Sequence, residues 1–286
     1  MAKNILHIIE KNMIGFSKGQ KLIAHYILGN YDKAAFMTAS KLGSSVHVSE
    51  STVVRFASQL GYDGYPAMQR ALQEMIRGKL TSIQRIEAND VSLSGQALVT
   101  NVLQRDMERI RLAIDQVESS EFEQIVDLIA NARNIYIFGV RSSSFLAGYL
   151  NFYFRLLFRN VTLIEDDGAG MFDQIFRVGE GDAFISICFP RYSKLTLKSA
   201  RFAKERGASV IGITDSEMSP LYQTATASLL VRNEMISFVD SLAAPMSLLN
   251  AVILAVAQRC GNDLSQNFAK LEDIWEQFDI FDSADE

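Results

Sequence analysis

The sequence predicts a chain of class α + α/β, with an all-helical domain first and a five-stranded parallel sheet covered by helices after it. Three observations lead there. The first 77 residues read as short amphipathic helices with caps and turn signals between them. From about residue 120, short apolar runs alternate with helical stretches, as in a parallel sheet buried on both faces. The charge divides at nearly the same place: residues 1–80 hold ten Lys/Arg and five Asp/Glu, whereas residues 81–286 hold 18 and 28.

A length of 286 residues suits two domains, each able to bury a core. Hydrophobic content of 48% and charged content of 21% fit a soluble globular protein. The start, MAKNILHIIEKN, meets acid at Glu10 and offers no small-residue cleavage site, so it does not read as a signal peptide. The most apolar run, Leu242–Ala257, contains Pro245, Ser247 and Asn250 and is shorter than a membrane span needs. No membrane partner is expected, and the expected compartment is the cytoplasm. Cys188 and Cys260 make neither a disulfide framework nor a metal cluster, and His7, His25 and His47 are scattered without ligand spacing. No cofactor and no metal are expected.

Taken in order, Ser17 and Gln20 form a capping-box pattern that opens a helix with Ile23, Tyr26 and Ile27 on one side. Thr38 can cap a short helix over Ala39–Ser44, and Ser45–Val48 gives a turn of helix-turn-helix length. Ser49 then caps a second helix, with Glu50 in its first turn where it favours the dipole. Val53, Phe56, Ala57 and Leu60 form its apolar face; Ser51, Thr52, Arg55 and Gln59 fall on the opposite side, and Gly61 ends it. Pro66 sits where a first-turn proline is tolerated and opens Ala67–Ile76. A helix exposing hydroxyls, an amide and one arginine suits a major groove, because Arg fits guanine edges, Gln fits adenine, and Ser/Thr bond to phosphates or bases. The same polar face would also serve as an ordinary solvated surface. The basic balance of this domain favours a polyanionic partner.

Gly78 to Gly95 is polar and reads as a linker. A helix from about Gln96 to Val117 carries one apolar stripe, Val99, Leu103, Met107, Ile110, Ile114 and Val117, which could face its own domain or a partner subunit. The predicted strands are Ile135–Phe138, Val161–Ile164, Ala183–Ile187, Val210–Ile213 and Ser228–Val231, with helices such as Glu121–Ala132, Ser144–Leu157 and Leu195–Arg206 between them. In such sheets ligands bind beyond the C-terminal strand ends. Two of those ends carry chemistry. Gly139-Val140-Arg141-Ser142-Ser143-Ser144 follows the first strand and opens a helix, so its hydroxyls and helix N-terminus can hold an anion. It lacks the later glycines of a dinucleotide loop and the Gly-Lys-Ser/Thr of a Walker loop. Cys188-Phe189-Pro190-Arg191-Tyr192-Ser193-Lys194 follows the third strand; Pro190 fixes the turn, Ser193 can cap the next helix and Arg191 presents a cationic fork. A Ser-rich helix cap and a structural ion pair are the plain alternatives for the two loops.

These residues resemble a known family. Phe36-Met37-Thr38-Ala39, then Val48-Ser49-x-Ser51-Thr52-Val53-x-Arg55-Phe56, then Leu60-Gly61-Tyr62-x-Gly64-Tyr65, resembles the N-terminal domain of RpiR-type transcription regulators. The region from about 120 to 260 resembles the SIS (sugar isomerase) domain, a five-stranded parallel fold that binds phosphosugars. Phe189–Ser193, Thr214-Asp215-Ser216 with Ser219-Pro220-Leu221, and Asp240-Ser241-Leu242-Ala243-Ala244-Pro245 are similar to motifs of one branch of these regulators. The resemblance implies a helix-turn-helix domain over 1–77, a linker and connecting helix over 78–118, and a SIS domain over 119–286. It implies a DNA operator as partner, contacted through Ser49, Ser51, Thr52, Arg55, Gln59 and Tyr65. It also implies a small anionic effector, a phosphosugar or sugar acid, held by Gly139, Arg141, Ser142, Ser143, Arg191, Tyr192 and Ser193, in a homodimer or homotetramer. The sequence departs from the family at Arg141, where many SIS domains have a second Gly, at Pro190–Ser193, where many have Ser-Gly-x-Thr, and at Leu195, where a glutamate often follows.

Two other functions stand beside the regulator: an aldose–ketose isomerase with a helical appendage, and a metabolite-binding module that touches no nucleic acid. Isomerase chemistry needs a positioned base. No histidine follows His47 and the loop glutamate is missing, which leaves Glu165 and Glu234 as candidate bases. The basic head opposes the third reading, and the sequence favours a non-catalytic regulator.

Overall fold

The computed structural model describes residues 5–76, 83, 86, 94–165, 168–233, 235–236, 239–261 and 263–281. The chain divides into two compact units, Met1–Asp90 and Val91–Glu286.

The first unit is helical throughout its described part. α1 (Ile5–Asn12) passes through a 3-10 turn at Met13–Gly15 into α2 (Lys18–Gly29), followed by α3 (Tyr31–Ala34), α4 (Ala39–Ser45), α5 (Glu50–Gln59) and α6 (Gly64–Ile76). The expected caps are present. Ser17 accepts from the Gln20 amide while its own N–H donates to the Gln20 side chain, and Thr38 accepts from the Lys41 amide at 3.2 Å. α6 begins three residues before the expected Ala67, with Pro66 in its first turn where the missing N–H costs nothing. Ile9, Ile23, Ile27, Leu42, Phe56 and Met68 are fully buried at the centre, and the Phe16 and Phe56 rings meet at 5.0 Å. Each such side chain contributes about 1.5–3 kcal/mol through loss of apolar contact with water.

The turn between α4 and α5 depends on Gly43. A Cβ there would lie 2.7 Å from the Val48 carbonyl oxygen, so only glycine lets the chain fold back this closely. The Gly43 carbonyl accepts from Val46 and Val48, and His47 takes φ +57 between them. Histidine is among the side chains that enter this left-handed region more readily.

The second unit opens with α7 (Gly95–Gln116) and α8 (Ser119–Ala130). A parallel sheet follows, in the order β2-β1-β3-β4-β5: β1 (Ile135–Gly139), β2 (Val161–Leu163), β3 (Ala183–Ile187), β4 (Ser209–Thr214) and β5 (Ala227–Leu230). α9 (Ser142–Leu157), α10 (Met171–Ile175) and α11 (Lys194–Glu205) lie between strands, and α12 (Ala243–Cys260) and α13 (Asp263–Gln277) close the chain. Strand residues alternate between two cores. Ile135, Ile137, Ile185 and Ile213 pack against α8, α9 and α12, while Tyr136, Phe138, Phe184 and Val210 pack against α10 and α11. Strands buried on both faces explain the continuous apolar runs in the sequence.

Three features differ from expectation. A two-residue antiparallel pair, β6 (Met235–Ile236) with β7 (Val239–Asp240), was not foreseen, since two residues are too short for a period to show. α7 belongs to the sheet unit rather than standing apart as a connector. Ala113 is buried and Ile110 and Val117 pack on the core, but Val99, Leu103, Met107 and Ile114 of the expected single stripe are exposed, Ile114 by 73%. α12, at 18 residues and mean hydropathy 1.3, is long and apolar enough to cross a membrane, although a shorter run was expected. Its Leu248, Leu249, Val252 and Val256 are instead buried against the sheet. The linker expected over 78–95 lies mostly outside the described residues.

At the N-terminal edge of the sheet, Asp182 ties three segments together. Its buried carboxylate accepts from Arg133 Nε at 3.0 Å, Asn134 Nδ2 at 2.8 Å and the Gly179 amide at 2.9 Å. Burial pushes the Asp182 carboxyl up, but these donors outweigh it and hold it below the ordinary carboxylate range. A folded-state value below the unfolded one adds stability above the unfolded pKa, and that stability is lost as pH falls through the folded one. Replacing Asp182 with Ala is expected to cost about 2–3 kcal/mol in urea unfolding at neutral pH, because the Asn134 and Gly179 donors lose their acceptor. The exposed Arg133 adds little. The difference between the two proteins is expected to shrink as the pH is taken below 4.

Candidate functional site

In the first unit the α5 N-terminus gathers hydroxyls. Ser49 accepts from the Thr52 amide at 3.3 Å, and its Oγ lies 2.9 Å from both Ser51 Oγ and Thr52 Oγ1. Arg55, one turn on, donates from Nε to the Ser51 carbonyl at 3.3 Å, which lays the side chain along the helix. Ser49, Thr52 and Arg55 border a shallow cleft whose other wall is Ser17, Gly19 and Gln20 at the start of α2. The two helix N-termini therefore converge on one surface, where their amide dipoles favour phosphate.

Two of the expected DNA contacts are placed otherwise. Gln59 donates to the Gly15 carbonyl at 3.3 Å and accepts from Gln20 Nε2 at 2.6 Å, so its amide joins α5 to the α1–α2 connection. Tyr65 is 4% exposed, and its hydroxyl donates to the Met37 carbonyl at 2.6 Å. Burial pushes its phenol up to about 12. Tyr65 is a packing residue, and the motif that contains it carries the fold of the domain rather than its outer surface.

In the second unit the strand order turns back on itself between β1 and β3, with β2 on the far side of β1. That is the switch point at which open parallel sheets form a crevice beyond their C-terminal ends. Gly139 pairs in register with Ile187, so the loops after β1 and β3 leave the sheet side by side. A Cβ on Gly139 would meet the Ser143 carbonyl oxygen at 2.7 Å, so the N-terminus of α9 sits directly over the strand end. Ser142 is half-buried and donates to Asp240 Oδ2 at 3.2 Å. Ser143 is buried, with its amide donating to the Val140 carbonyl, and Ser144 donates back to the Arg141 carbonyl at 2.6 Å.

Across the crevice, Ser193 caps α11 by accepting from the Thr196 amide at 3.3 Å. The Tyr192 hydroxyl donates to Asp215 Oδ1 at 2.9 Å, and burial with the adjacent carboxylate pushes its phenol far up. It is thus committed to Asp215, where a sugar partner was expected. Thr214 Oγ1 lies 2.7 Å from both the Cys188 carbonyl and Ser219 Oγ, which binds the loop after β4 to the loop after β3. Cys188 is buried, and its thiol is pushed up to about 11, so it is chemically quiet.

Both loop arginines have left-handed backbones. Arg141 has φ +58 and ψ −130, and Arg191 has φ +64. Arg141's pair of angles belongs to a region that glycine enters without cost and other residues do not. Both side chains are exposed. Of the residues proposed from the sequence, Gly139, Arg141, Ser142 and Ser143 lie at the end of β1 and the start of α9, and Arg191, Tyr192 and Ser193 lie in the loop after β3, the two strand ends that flank the switch point. Asp240, named from the sequence only as the start of a family-like motif, joins Ser142 there from 98 residues away. Glu165 is exposed, with its backbone paired to the Gln174 side chain, and Glu234 lies outside the described residues.

Comparison with known proteins agrees with this division. Residues 3–79 match the model of the helix-turn-helix domain of the rpiR family, and residues 128–255 match that of the SIS domain. The HTH-type transcriptional regulator HexR of Pseudomonas aeruginosa is 26% identical over 228 residues, covering 79% of this chain and 78% of its own. Among solved structures, the Vibrio vulnificus NanR protein complexed with ManNAc-6P superposes with a TM-score of 0.59 at 21% identity, over 96% of this chain and 99% of that one. The sugar isomerase domain of an RpiR transcription factor from Sphaerobacter thermophilus gives 0.60 at 21% identity, over 62% of this chain and 99% of its own.

The Arg141 backbone leads to a measurable expectation. Arg141→Gly removes a strain of order 1–3 kcal/mol and adds chain entropy to the unfolded state, so a net gain of about 1 kcal/mol is expected in chemical unfolding. A loss of stability would show that the arginine side chain contributes more than its backbone costs.

Proposed function

We propose, for a chain that belongs to the rpiR family of helix-turn-helix transcription regulators carrying a SIS domain, that its head reads a duplex operator through α5 and its sheet domain senses a small anionic sugar, a phosphosugar or sugar acid. The observation that carries this is a serine-lined helix N-terminus at the switch point of a parallel sheet, in a chain whose other domain is a helix-turn-helix. Ser49, Ser51 and Thr52 are hydroxyl donors at the start of α5 and suit backbone phosphates; Arg55 is the residue suited to a base edge. Ser142 offers the effector a hydroxyl, and Arg141 and Arg191 offer it positive charge. NanR, whose fold this chain shares, was solved with a sugar phosphate. The chain acts in the cytoplasm as a homodimer or homotetramer, since one recognition helix spans too few bases for a specific site. The effector changes operator affinity to the extent that it binds two arrangements of the assembly unequally.

The reading without catalysis rests on the exposure of Glu165, the absence of histidine after His47 and the names of the relatives, which are regulators. Sugar phosphates followed by NMR in the presence of the protein are expected to show binding without interconversion of aldose and ketose. Turnover that disappears in Glu165→Gln would restore the isomerase reading. Arg55→Ala is expected to cost about 1–3 kcal/mol of specific operator affinity, measured by fluorescence anisotropy at fixed salt. Unchanged binding would remove Arg55 from the interface.

A further inference from the structure

We propose that Asp240 is the resident anion of the loop after β1, and that an anionic effector binds by taking the Ser142 hydroxyl from it. This rests on the reading of that loop as an anion site. Ser142 is the first residue of a 16-residue helix, and its hydroxyl donates to Asp240 Oδ2 at 3.2 Å. A serine hydroxyl has one hydrogen, so it cannot donate to Asp240 and to an incoming phosphate at once. The Ser142 hydroxyl and the positive end of the α9 dipole favour this carboxylate as they would favour a phosphate. Two negative charges about 4 Å apart repel by about 1 kcal/mol in water and by more where solvent is partly excluded.

Asp240 therefore sets a threshold of selectivity. A neutral sugar gains nothing by displacing a carboxylate from a helix N-terminus. A phosphate, with more charge and more acceptor oxygens, does. The exchange is also felt beyond the loop. Asp240 is the last residue of β7, and the next residue, Ser241, donates to Asp106 Oδ1 on α7 at 2.5 Å. A displaced Asp240 pulls on the chain one residue from that link, so occupancy of the loop is communicated to α7.

Inorganic phosphate is the minimal probe. It would be titrated into the full chain as wild type, Asp240→Asn and Ser142→Ala at constant ionic strength, with affinity read from the concentration dependence of thermal stability. Asp240→Asn keeps an acceptor for Ser142 and removes the charge, so phosphate is expected to bind about fivefold tighter or more. Ser142→Ala is expected to bind more weakly than wild type. Equal or weaker binding by Asp240→Asn, with binding by wild type, overturns the role of Asp240 and leaves the anion site standing. No binding by either protein at millimolar phosphate overturns the site itself and the proposal with it. A second measurement needs no substitution: in the wild type, saturating phosphate is expected to speed amide hydrogen exchange in α7 around Asp106. Unchanged exchange there with phosphate bound would overturn the displacement.

Discussion

The close approach of Gly139 to the Ser143 carbonyl governs the sheet domain's working edge. Because no Cβ fits there, α9 can start directly above the end of β1, beside the crevice between β1 and β3. The loop after β3 is aligned with it by the Gly139–Ile187 register, and Thr214 ties that loop to the one after β4. Three loops are thereby positioned by one steric limit, one backbone register and one buried hydroxyl. The helical head obeys a similar limit at Gly43, where the chain must pass the Val48 carbonyl to set α5 at its angle to α4.

The two arginines at this edge show how the site departs from an unstrained sheet. Positions 141 and 191 have backbones that glycine would adopt freely, yet both carry guanidinium groups. Backbone strain of this kind persists where surrounding structure holds it and where the side chain has a use. The Tyr192–Asp215 hydrogen bond and the Ser193 cap hold the second loop just after its strained residue, and the bond from Thr214 to the Cys188 carbonyl holds it before. The Ser144 hydroxyl, bonded to the Arg141 carbonyl, does the same for the first.

Much of this was legible in the sequence, for physical reasons. Strands buried on both faces announce themselves as apolar runs, and all five parallel strands lie within two residues of their expected ends. Caps act over three residues, so Ser17, Thr38, Ser49 and Ser193 could be read directly. What sequence could not show were contacts between distant segments. Tyr65 was expected among the DNA contacts on the strength of the resemblance, but its hydroxyl's partner, the Met37 carbonyl, is 28 residues away. Gln59 falls on the polar face by periodicity and yet bonds to Gln20 and Gly15. Asp240 reaches Ser142 across 98 residues, and the side of α7 that meets the core depends on its packing against α12.

The two edges of the sheet divide the labour between them. At the N-terminal edge Asp182 gathers Arg133, Asn134 and Gly179 around one buried carboxylate and anchors the strand starts. That network is separate from the loops at the opposite edge. Substitutions at positions such as 141, 191 and 240 can then accumulate over evolutionary time without unfolding the domain. A lineage of such chains can acquire new chemical signals while inheriting the same scaffold.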